Sequence, residues 1–529
     1  MKIKFNLHKS LLNLSVYCII ASSGFLAQKI ESAPIPGAGR IVMSTQFEGL
    51  IGNKEIRSNV QAAFTKYNHN ILVYENKKKQ LKKDIRIKYN DVKYVPNGYF
   101  IKESKIVGYF IAGTKNSERV MLCLQEFDTE LKPIGQPVEI IELPRAVDQS
   151  KLLDSRSGGM FTDKVVKEQN LVARYNKDNG TILFCFSLQL VKGQDLSYCK
   201  IILLNDNYKV LNTFEYKSAS GENYIQATPQ KIFENGDALV SISEGIKEYK
   251  ENGSLVFKIS KQAQIFVPAN GGTSKELELM PDQERIINIK TAENLTKDGN
   301  VLYSILSSVY DKERNEVVVY IGLYTYNVSS EKLERKSYQY GIKEVFPNYN
   351  VLNTSSFYLK KIFNLTDGSI LLWLIATDPI SGYSRDSGHV FIKIEPNNQI
   401  SWIKGFRKES ISLPELAGAI DYFDTNGNLN LVFNFPSKKF KNNTLATCFG
   451  KTIILNSKIT RVDVGSIPIV ATVDISTGEI MMKKMSIEGS ALGGILISES
   501  ESLGENGKYR MHMMINKKLQ FAEIDFNAD

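Results

Sequence analysis

The residues best suited to chemistry gather in one short stretch, 378–389, which holds Asp378, Tyr383, Arg385, Asp386 and His389. An arginine there can grip a carboxylate or sugar hydroxyls through its planar fork, and a histidine close to an aspartate can exchange protons as an acid/base pair. The same residues also suit an exposed, salt-bridged loop that holds no ligand. Elsewhere histidine is scarce: the 529 residues include only 4, His8, His69, His389 and His512, none near another in sequence. That scarcity argues against a multi-histidine metal centre and leaves few bases to activate a nucleophile.

Other chemical signatures are weak. The sequence has no G-x-S-x-G elbow, phosphate-binding loop, dinucleotide fingerprint or H-E-x-x-H pair. Asp424-Thr425-Asn426-Gly427-Asn428 opens like a calcium loop, but Leu429 stands where that loop needs glycine and Phe435 where it needs an acid, so it reads as a plain turn. Acids such as Asp206, Asp311 and Glu313 cannot be matched to partners without a fold. Catalytic residues therefore stay unassigned, and neither a metal nor a cofactor is expected.

The elements that would position these residues are legible as a repeat. Asn-Gly and Asp-Gly turns recur at Pro96-Asn97-Gly98, Asp178-Asn179-Gly180, Asn235-Gly236-Asp237, Asp298-Gly299-Asn300, Asp367-Gly368-Ser369, Asn426-Gly427-Asn428 and Asn506-Gly507-Lys508. Such dipeptides supply the positive φ that tight hairpins demand, and apolar or alternating segments follow them. Their glycines lie 56 to 82 residues apart, about 68 on average. A second turn follows most of them after 26 to 34 residues, at Asp128-Thr129-Glu130, Asn205-Asp206-Asn207, Asn270-Gly271-Gly272, Val328-Ser329-Ser330 and Asn397-Asn398. Thr477-Gly478 comes later, after 50 residues, because an extra segment at 450–464 intervenes.

A unit of that length holds two hairpins, or four antiparallel strands, which is one blade of an all-β propeller. Seven turns give seven blades, with six or eight as the neighbouring counts. Two or three β-sandwich domains would also show regular turns. The scarcity of Pro/Gly/Ser-rich linkers after residue 40 favours one ring. In outline, residues 90 to 529 resemble secreted bacterial β-propeller repeat proteins, on turn type, turn spacing and second hairpins such as the one from Phe391-Ile392-Lys393-Ile394-Glu395 to Ile400-Ser401-Trp402. The resemblance implies the fold and carries over no functional residue.

The remaining segments complete the layout. Lys2, Lys4 and Lys9 followed by an apolar run over 11–27 read as an export signal cleaved near Ala27, the alternative being a membrane anchor formed by the same run. Its removal lowers the formal charge from +9 to +6. Residues 28–90 read as a lead, with Asn53 capping a helix through Tyr67 that carries Ile56, Val60, Ala63 and Phe64 on one face, and with a ring-closing strand near 40–45. The propeller spans 91–529. A basic stretch at 77–88 reads as a solvated hairpin. Cys185 and Cys199 lie on the two arms of a hairpin at 181–190 and 196–205 and are candidates for a disulfide in an oxidising compartment. Trp373 and Trp402 fall inside strand patterns and read as blade core.

Together these features point to an exported, secreted or periplasmic, soluble and monomeric propeller that binds a protein or glycan partner and no nucleic acid. The competing class is a propeller hydrolase or lyase acting on polysaccharide or peptide through loop carboxylates. Loops joining the second and third strands of each blade, 378–388 among them, are the expected place for function.

Overall fold

The computed structural model describes residues 29–34, 45–63, 66–75, 78–84, 87–89, 92–113, 120–143, 169–188, 197–218, 223–249, 255–277, 288–292, 295–296, 298–345, 356–380, 383–407, 419–424, 426–436, 466–484, 486–487, 493–495, 502–503, 508–515 and 518–525. The strand Ile182–Leu188, sequence ILFCFSL, shows why the chain folds as it does, because all its residues are buried. Successive strand side chains point to opposite faces. Here Ile182, Phe184, Phe186 and Leu188 join one apolar cluster, while Leu183 and Cys185 join another. A strand apolar on both faces needs a sheet on each side of it.

Neighbouring sheets supply those covers. Six sheets lie within residues 45–407 and form one compact unit. The first is Thr45–Ile51, Lys54–Ala63, Lys66–Glu75 and Lys78–Asp84. The second is Ile87–Tyr89, Val92–Lys102, Lys105–Gly113, Val120–Phe127 and Pro133–Leu143. The third is Gln169–Tyr175, Ile182–Leu188, Tyr198–Leu204 and Val210–Lys217. The fourth is Asn223–Ile232, Ala238–Tyr249, Leu255–Val267 and Lys275–Leu277. The fifth is Asn288–Thr291, Val301–Asp311, Glu316–Asn327 and Lys332–Gly341, and the sixth is Ser356–Asn364, Ile370–Ile380, Tyr383–Ile394 and Ile400–Arg407. In each, strands pair with their sequence neighbours as an antiparallel meander. Each interface between consecutive sheets is one apolar cluster: Val73 with Phe110, Val107 with Phe184, Cys199 with Ile242, Phe266 with Tyr326, and Leu306 with Leu372 share clusters in turn. Four-stranded meanders stacked face to face in chain order are propeller blades, and the protein is an all-β chain of this type.

A second unit, drawn from residues 29–34 and 419–525, holds two further sheets. One is Ile420–Phe423, Leu429–Pro436, Ser466–Val473 and Ile480–Lys484. In the other, Lys29–Pro34 lies between Ser486–Ile487 and Lys518–Asp525, and Lys508–Ile515 follows. Lys29–Pro34 thus pairs antiparallel with Lys518–Asp525, and the closing strand expected near 40–45 falls, over 40–44, outside the described residues. The hairpin expected at the chain end is present as Lys508–Ile515 and Lys518–Asp525.

Among the described residues there are eight sheets, the upper of the expected counts. The sheet missing from the count of seven is the first. Its opening turn is Gly52-Asn53, with Gly52 at φ +58°, in the reverse of the usual dipeptide order. The helix expected from Asn53 to Tyr67 is instead the strand Lys54–Ala63 and the start of Lys66–Glu75, paired over ten rungs. Ile56, Val60 and Ala63 fit a helical spacing locally, but long-range pairing overrides that weak preference. Asn53 Nδ2 donates to Glu75 Oε1 at 3.3 Å across the hairpin instead of capping a helix. Residues 28–90 therefore contribute a sheet of their own. One α-helix is described, the single turn Ile342–Val345.

The turns behave as their residues require. Gly180, Gly236, Gly299, Gly368 and Gly427 all have φ between +71° and +88° and join first to second strands. The later turns join the last two strands of their sheets, with Leu131, Tyr208, Gly271, Glu331, Asn398 or Gly478 at positive φ. An Asx contact recurs in both classes: Asp128, Asn205 and Asp424 each accept through Oδ1 from backbone N–H groups two and four residues on, at 2.8–3.0 Å. Gly98 departs from expectation, lying within Val92–Lys102 at a register shift, while the turn falls at Glu103 with φ +50°. Asn506-Gly507 lies outside the described residues, as do the export signal and Cys448.

Gly180 and Gly299 share their backbone conformation and differ in their surroundings. A Cβ on Gly180 would lie 2.7 Å from the Asp206 Cβ, whereas one on Gly299 would meet nothing within 4 Å. G299A is expected to cost about 1–2 kcal/mol through backbone strain alone, and G180A distinctly more. Urea unfolding of both variants tests this, and equal midpoints would contradict it.

Candidate functional site

The stretch expected as a functional loop is a β-hairpin. Ile370–Ile380 and Tyr383–Ile394 pair with Asp378 opposite Arg385, Thr377 opposite Asp386 and Ile380 opposite Tyr383. Only residues 381–382 separate the two strands. The backbone therefore brings Asp378, Tyr383, Arg385 and Asp386 together at one hairpin tip.

His389 does not belong with them. It pairs with Ile375 inside the ladder, is 0% exposed, and accepts a hydrogen bond at Nδ1 from Trp373 Nε1 at 3.0 Å. Accepting at Nδ1 requires that nitrogen to be unprotonated. The imidazole lies 4.8 Å from the Phe406 ring and 5.7 Å from Trp373, centre to centre. An acid/base role for His389 with Asp386 is replaced by a packing role, because the apolar strand Val390–Ile394 extends back through it into the core. Trp373 is fully buried, as expected of blade core, and Trp402 is half-buried.

The tip of the sixth sheet has counterparts in the first, fourth and fifth sheets and in the sheet that opens with Ile420–Phe423, where the hairpin joining second to third strands likewise outruns the first strand. Each hairpin joining second to third strands in sheets four, five and six runs past the end of its first strand. The overrun is three rungs beyond Ile246, five beyond Leu306 and three beyond Thr377. These connections lie on the strand ends opposite the Asn/Asp-Gly turns, and the three sheets are consecutive in the stack. Each of these three tips carries a tyrosine and charged residues: Glu248 and Tyr249, then Tyr310, Asp311 and Arg314, then Asp378, Tyr383 and Arg385. The tip of the fifth sheet is internally braced. Asp311 Oδ1 accepts from the Glu313 and Arg314 N–H groups at 2.9 and 3.1 Å, Arg314 Nε lies 3.5 Å from Asp311 Oδ2, and Tyr310 donates to Asn315.

Two polar networks that local sequence did not reveal lie between sheets. On the turn side, Glu126 accepts from Lys105 Nζ and from the Tyr208 hydroxyl, both at 2.7 Å. Lys102 Nζ lies 3.2 Å from Asp206 Oδ1 and 4.6 Å from the Tyr208 ring centre. Burial pushes the Glu126 carboxyl up, but the bonds from Lys105 and Tyr208 prevail and hold it below the usual carboxylate range. Burial and the Glu126 bond drive the Tyr208 hydroxyl the other way, well above an ordinary phenol. On the opposite side, the buried Glu244 accepts from the Tyr216 hydroxyl at 2.7 Å and from Ser218. Lys261 lies 5.1 Å from the Tyr216 ring centre and pairs with Glu276 at 2.7 Å. Burial, then Glu244, raises the Tyr216 hydroxyl against the opposing pull of Lys261. Both networks join consecutive sheets by satisfying buried charges. The one signal for the second was an acid inside an apolar run, Ala-Leu-Val-Ser-Ile-Ser-Glu-Gly-Ile over 238–246.

Asp424 is engaged as a turn residue: beyond its backbone bonds, Oδ2 accepts from Asn428 and Asn430 at 3.3 and 3.2 Å. Among the described residues no group of three or more His, Cys, Asp or Glu converges as a metal site. The expected disulfide is not formed: Cys123, Cys185 and Cys199 are free, buried thiols. Cys185 sits opposite Ile201 and Cys199 opposite Ser187, which makes the two cysteines diagonal neighbours. Diagonal Cβ atoms stand roughly 7–8 Å apart, and a disulfide needs about 3.5–4.5 Å. Burial pushes the Cys199 and Cys123 thiols up to about 12 and Cys185 well above its ordinary value.

Two outcomes follow. His389→Ala removes core volume and the acceptor of Trp373, and is expected to lower stability by about 3 kcal/mol or more. His389→Phe keeps the volume and should lose about 1–2 kcal/mol. Denaturant unfolding tests the pair, and an unaltered midpoint for the alanine variant would overturn the packing role. Second, the three thiols should resist Ellman's reagent in the native protein and react after unfolding without reductant. A mass deficit of about two hydrogens, signalling a bridge, would contradict this.

No family model matches the sequence, and no curated protein matches it. Solved structures similar to it include the polysaccharide lyase Uly1, at 9% identity and TM-score 0.36, covering 82% of this chain and 90% of that one. The WD40 domain of SCAP from fission yeast matches at 8% identity and TM-score 0.35, over 100% and 97% of the two chains. The β-propeller domain of the Trilobed protease from Pyrococcus furiosus matches at 11% identity and TM-score 0.26, over 71% and 95%. Propeller proteins are thus among the chain's structural neighbours.

Proposed function

We propose that the protein is an exported binding module that engages a glycan or protein partner through the projecting hairpins of sheets four, five and six. The observation that carries this reading is that their overruns end in tips that set a tyrosine beside charged residues. Three consecutive blades extend the same connection beyond their first strands, by three, five and three rungs, on the same side. At the fifth sheet the inner rungs of the overrun add to the core, since Val317 and Val319 join the cluster shared with the sixth sheet, whereas its outermost rung, Asp311 opposite Glu316, carries charge. Paired strands hold the tips in place at less entropy cost than open loops, which favours recognition.

The residue types at the tips fit such a role. Tyrosine offers an amphipathic contact face with few rotatable bonds, and arginine a forked donor for carboxylates or hydroxyls. Asp378, Tyr383, Arg385 and Asp386 form the contact set of the sixth sheet, and Tyr310 with Arg314 that of the fifth. His389 takes no part.

A glycan array probed with the mature chain, beside Y310A/R314A and Y383A/R385A variants, tests the proposal. At least one glycan class should be retained, with binding weakened about tenfold or more in the tip variants at unchanged melting temperature. Tip variants that bind like the parent would refute it. Release of reducing ends from a polysaccharide by the parent chain would replace it with an enzymatic role.

A further inference from the structure

We infer that the outer strand of the first sheet, Lys78–Asp84, is a binding edge for a linear acidic polysaccharide, independent of the hairpin tips. Residues 77–88 carry Lys77, Lys78, Lys79, Lys82, Lys83, Arg86 and Lys88 against the lone acid Asp84. The fold draws four of these lysines out along one strand, the last in its sheet, paired on one side to Lys66–Glu75. In that register Lys78 faces Glu75, Lys79 faces Tyr74, Lys82 faces Leu72 and Lys83 faces Ile71. The ladder thus sets one acid opposite four lysines.

Protection of a sheet edge does not account for such a concentration. Lysine on an edge strand discourages pairing with other chains. The other outer strands are blunted more sparingly. Pro133–Leu143 has two register shifts and no lysine. Lys275–Leu277 is three residues long, and Lys332–Gly341 carries Lys332 and Lys336. Along Lys78–Asp84, neighbouring residues are about 3.3 Å apart, well inside a screening length of about 8–10 Å. The four lysines fall within residues 78 to 83, about 17 Å of strand, so their charges repel one another, and anions arrayed along the strand relieve that repulsion.

The shape of the patch selects among polyanions. A single strand presents a row rather than a plane, which suits a linear chain better than a membrane surface. Its sequence, KKQLKKD, has no aromatic side chain on which a nucleobase could stack. An acidic polysaccharide, with anions at regular intervals and no need of stacking, is the polymer that fits.

Retention of the mature chain on immobilised alginate tests this, with single-stranded DNA as the comparison. The parent should be held at about 50 mM salt, with release depending steeply on ionic strength. The K78Q/K79Q/K82Q/K83Q variant should elute much earlier, with the slope of log affinity against log salt reduced by about 3. A control of equal net charge, K332Q/K336Q/K483Q/K484Q, should elute close to the parent. Melting temperatures of both variants report folding. Failure of the parent to bind alginate, an equal shift in the control, or tighter retention on DNA than on alginate would each overturn the inference. The Y383A/R385A variant should elute with the parent, so a failure here leaves the role of the hairpin tips standing.

Discussion

The constraint on which the architecture depends is that inner strands of the blades are apolar on both faces. Ile182–Leu188 is buried throughout, and Lys105–Gly113 is buried at every position after the first. Full burial of one such side chain is worth about 1.5–3 kcal/mol, so a sheet with one bare face would forgo many times the net stability of an ordinary domain. Consecutive sheets must therefore stack, and each interface becomes one cluster shared by two blades. The fourth strands, which lie outermost, escape this demand. Val210–Lys217 alternates between half-buried and exposed positions over most of its length, and Lys332–Gly341 is largely exposed.

Polar groups caught between stacked sheets have to be satisfied there, and they are satisfied by neighbours in the next blade. Asn179 Nδ2 donates to the Phe233 carbonyl at 2.8 Å, Asn212 Nδ2 to the Pro268 carbonyl at 2.8 Å, and Ser187 Oγ accepts from the Ala227 N–H at 3.0 Å. These bonds fix how one sheet sits on the next with a directionality that apolar contact lacks. The Glu126 and Glu244 networks are charged versions of the same device. Removing one partner from either would strand a partly or wholly buried charge, which costs more than the pair contributes.

Much of this was legible in the sequence, for identifiable reasons. Turn residues are local: Asp-Gly and Asn-Gly at 178–180, 298–299, 367–368 and 426–427 found their turns because positive φ is a property of one residue. Apolar strands after the turns were legible from alternation and length. Pairing partners were not. The Asn53–Tyr67 stretch was misread because its apolar spacing fits a helix, and only the ladder with Lys66–Glu75 decides otherwise. The reading of Cys185 and Cys199 as a pair failed on a register offset of two residues, which no composition reveals. Glu126 and Tyr208 are 82 residues apart, so their bond was beyond any local pattern.

His389 and its neighbours show where function can lie in a fold of this kind. In sequence, Asp386 and His389 stand three residues apart and look like one site. The ladder divides them, because His389 falls beside Val390 and Phe391, where both sheet faces are covered, while Asp386 falls two rungs nearer the tip, level with Ser356 at the end of the first strand. A titratable residue inside the stacked region is committed to a partner in the core, as His389 is to Trp373. Only residues beyond the stack, at hairpin tips and on outermost strands, keep surfaces that another molecule can reach. The residue types that matter for recognition are therefore read from position along the ladder before they are read from chemistry.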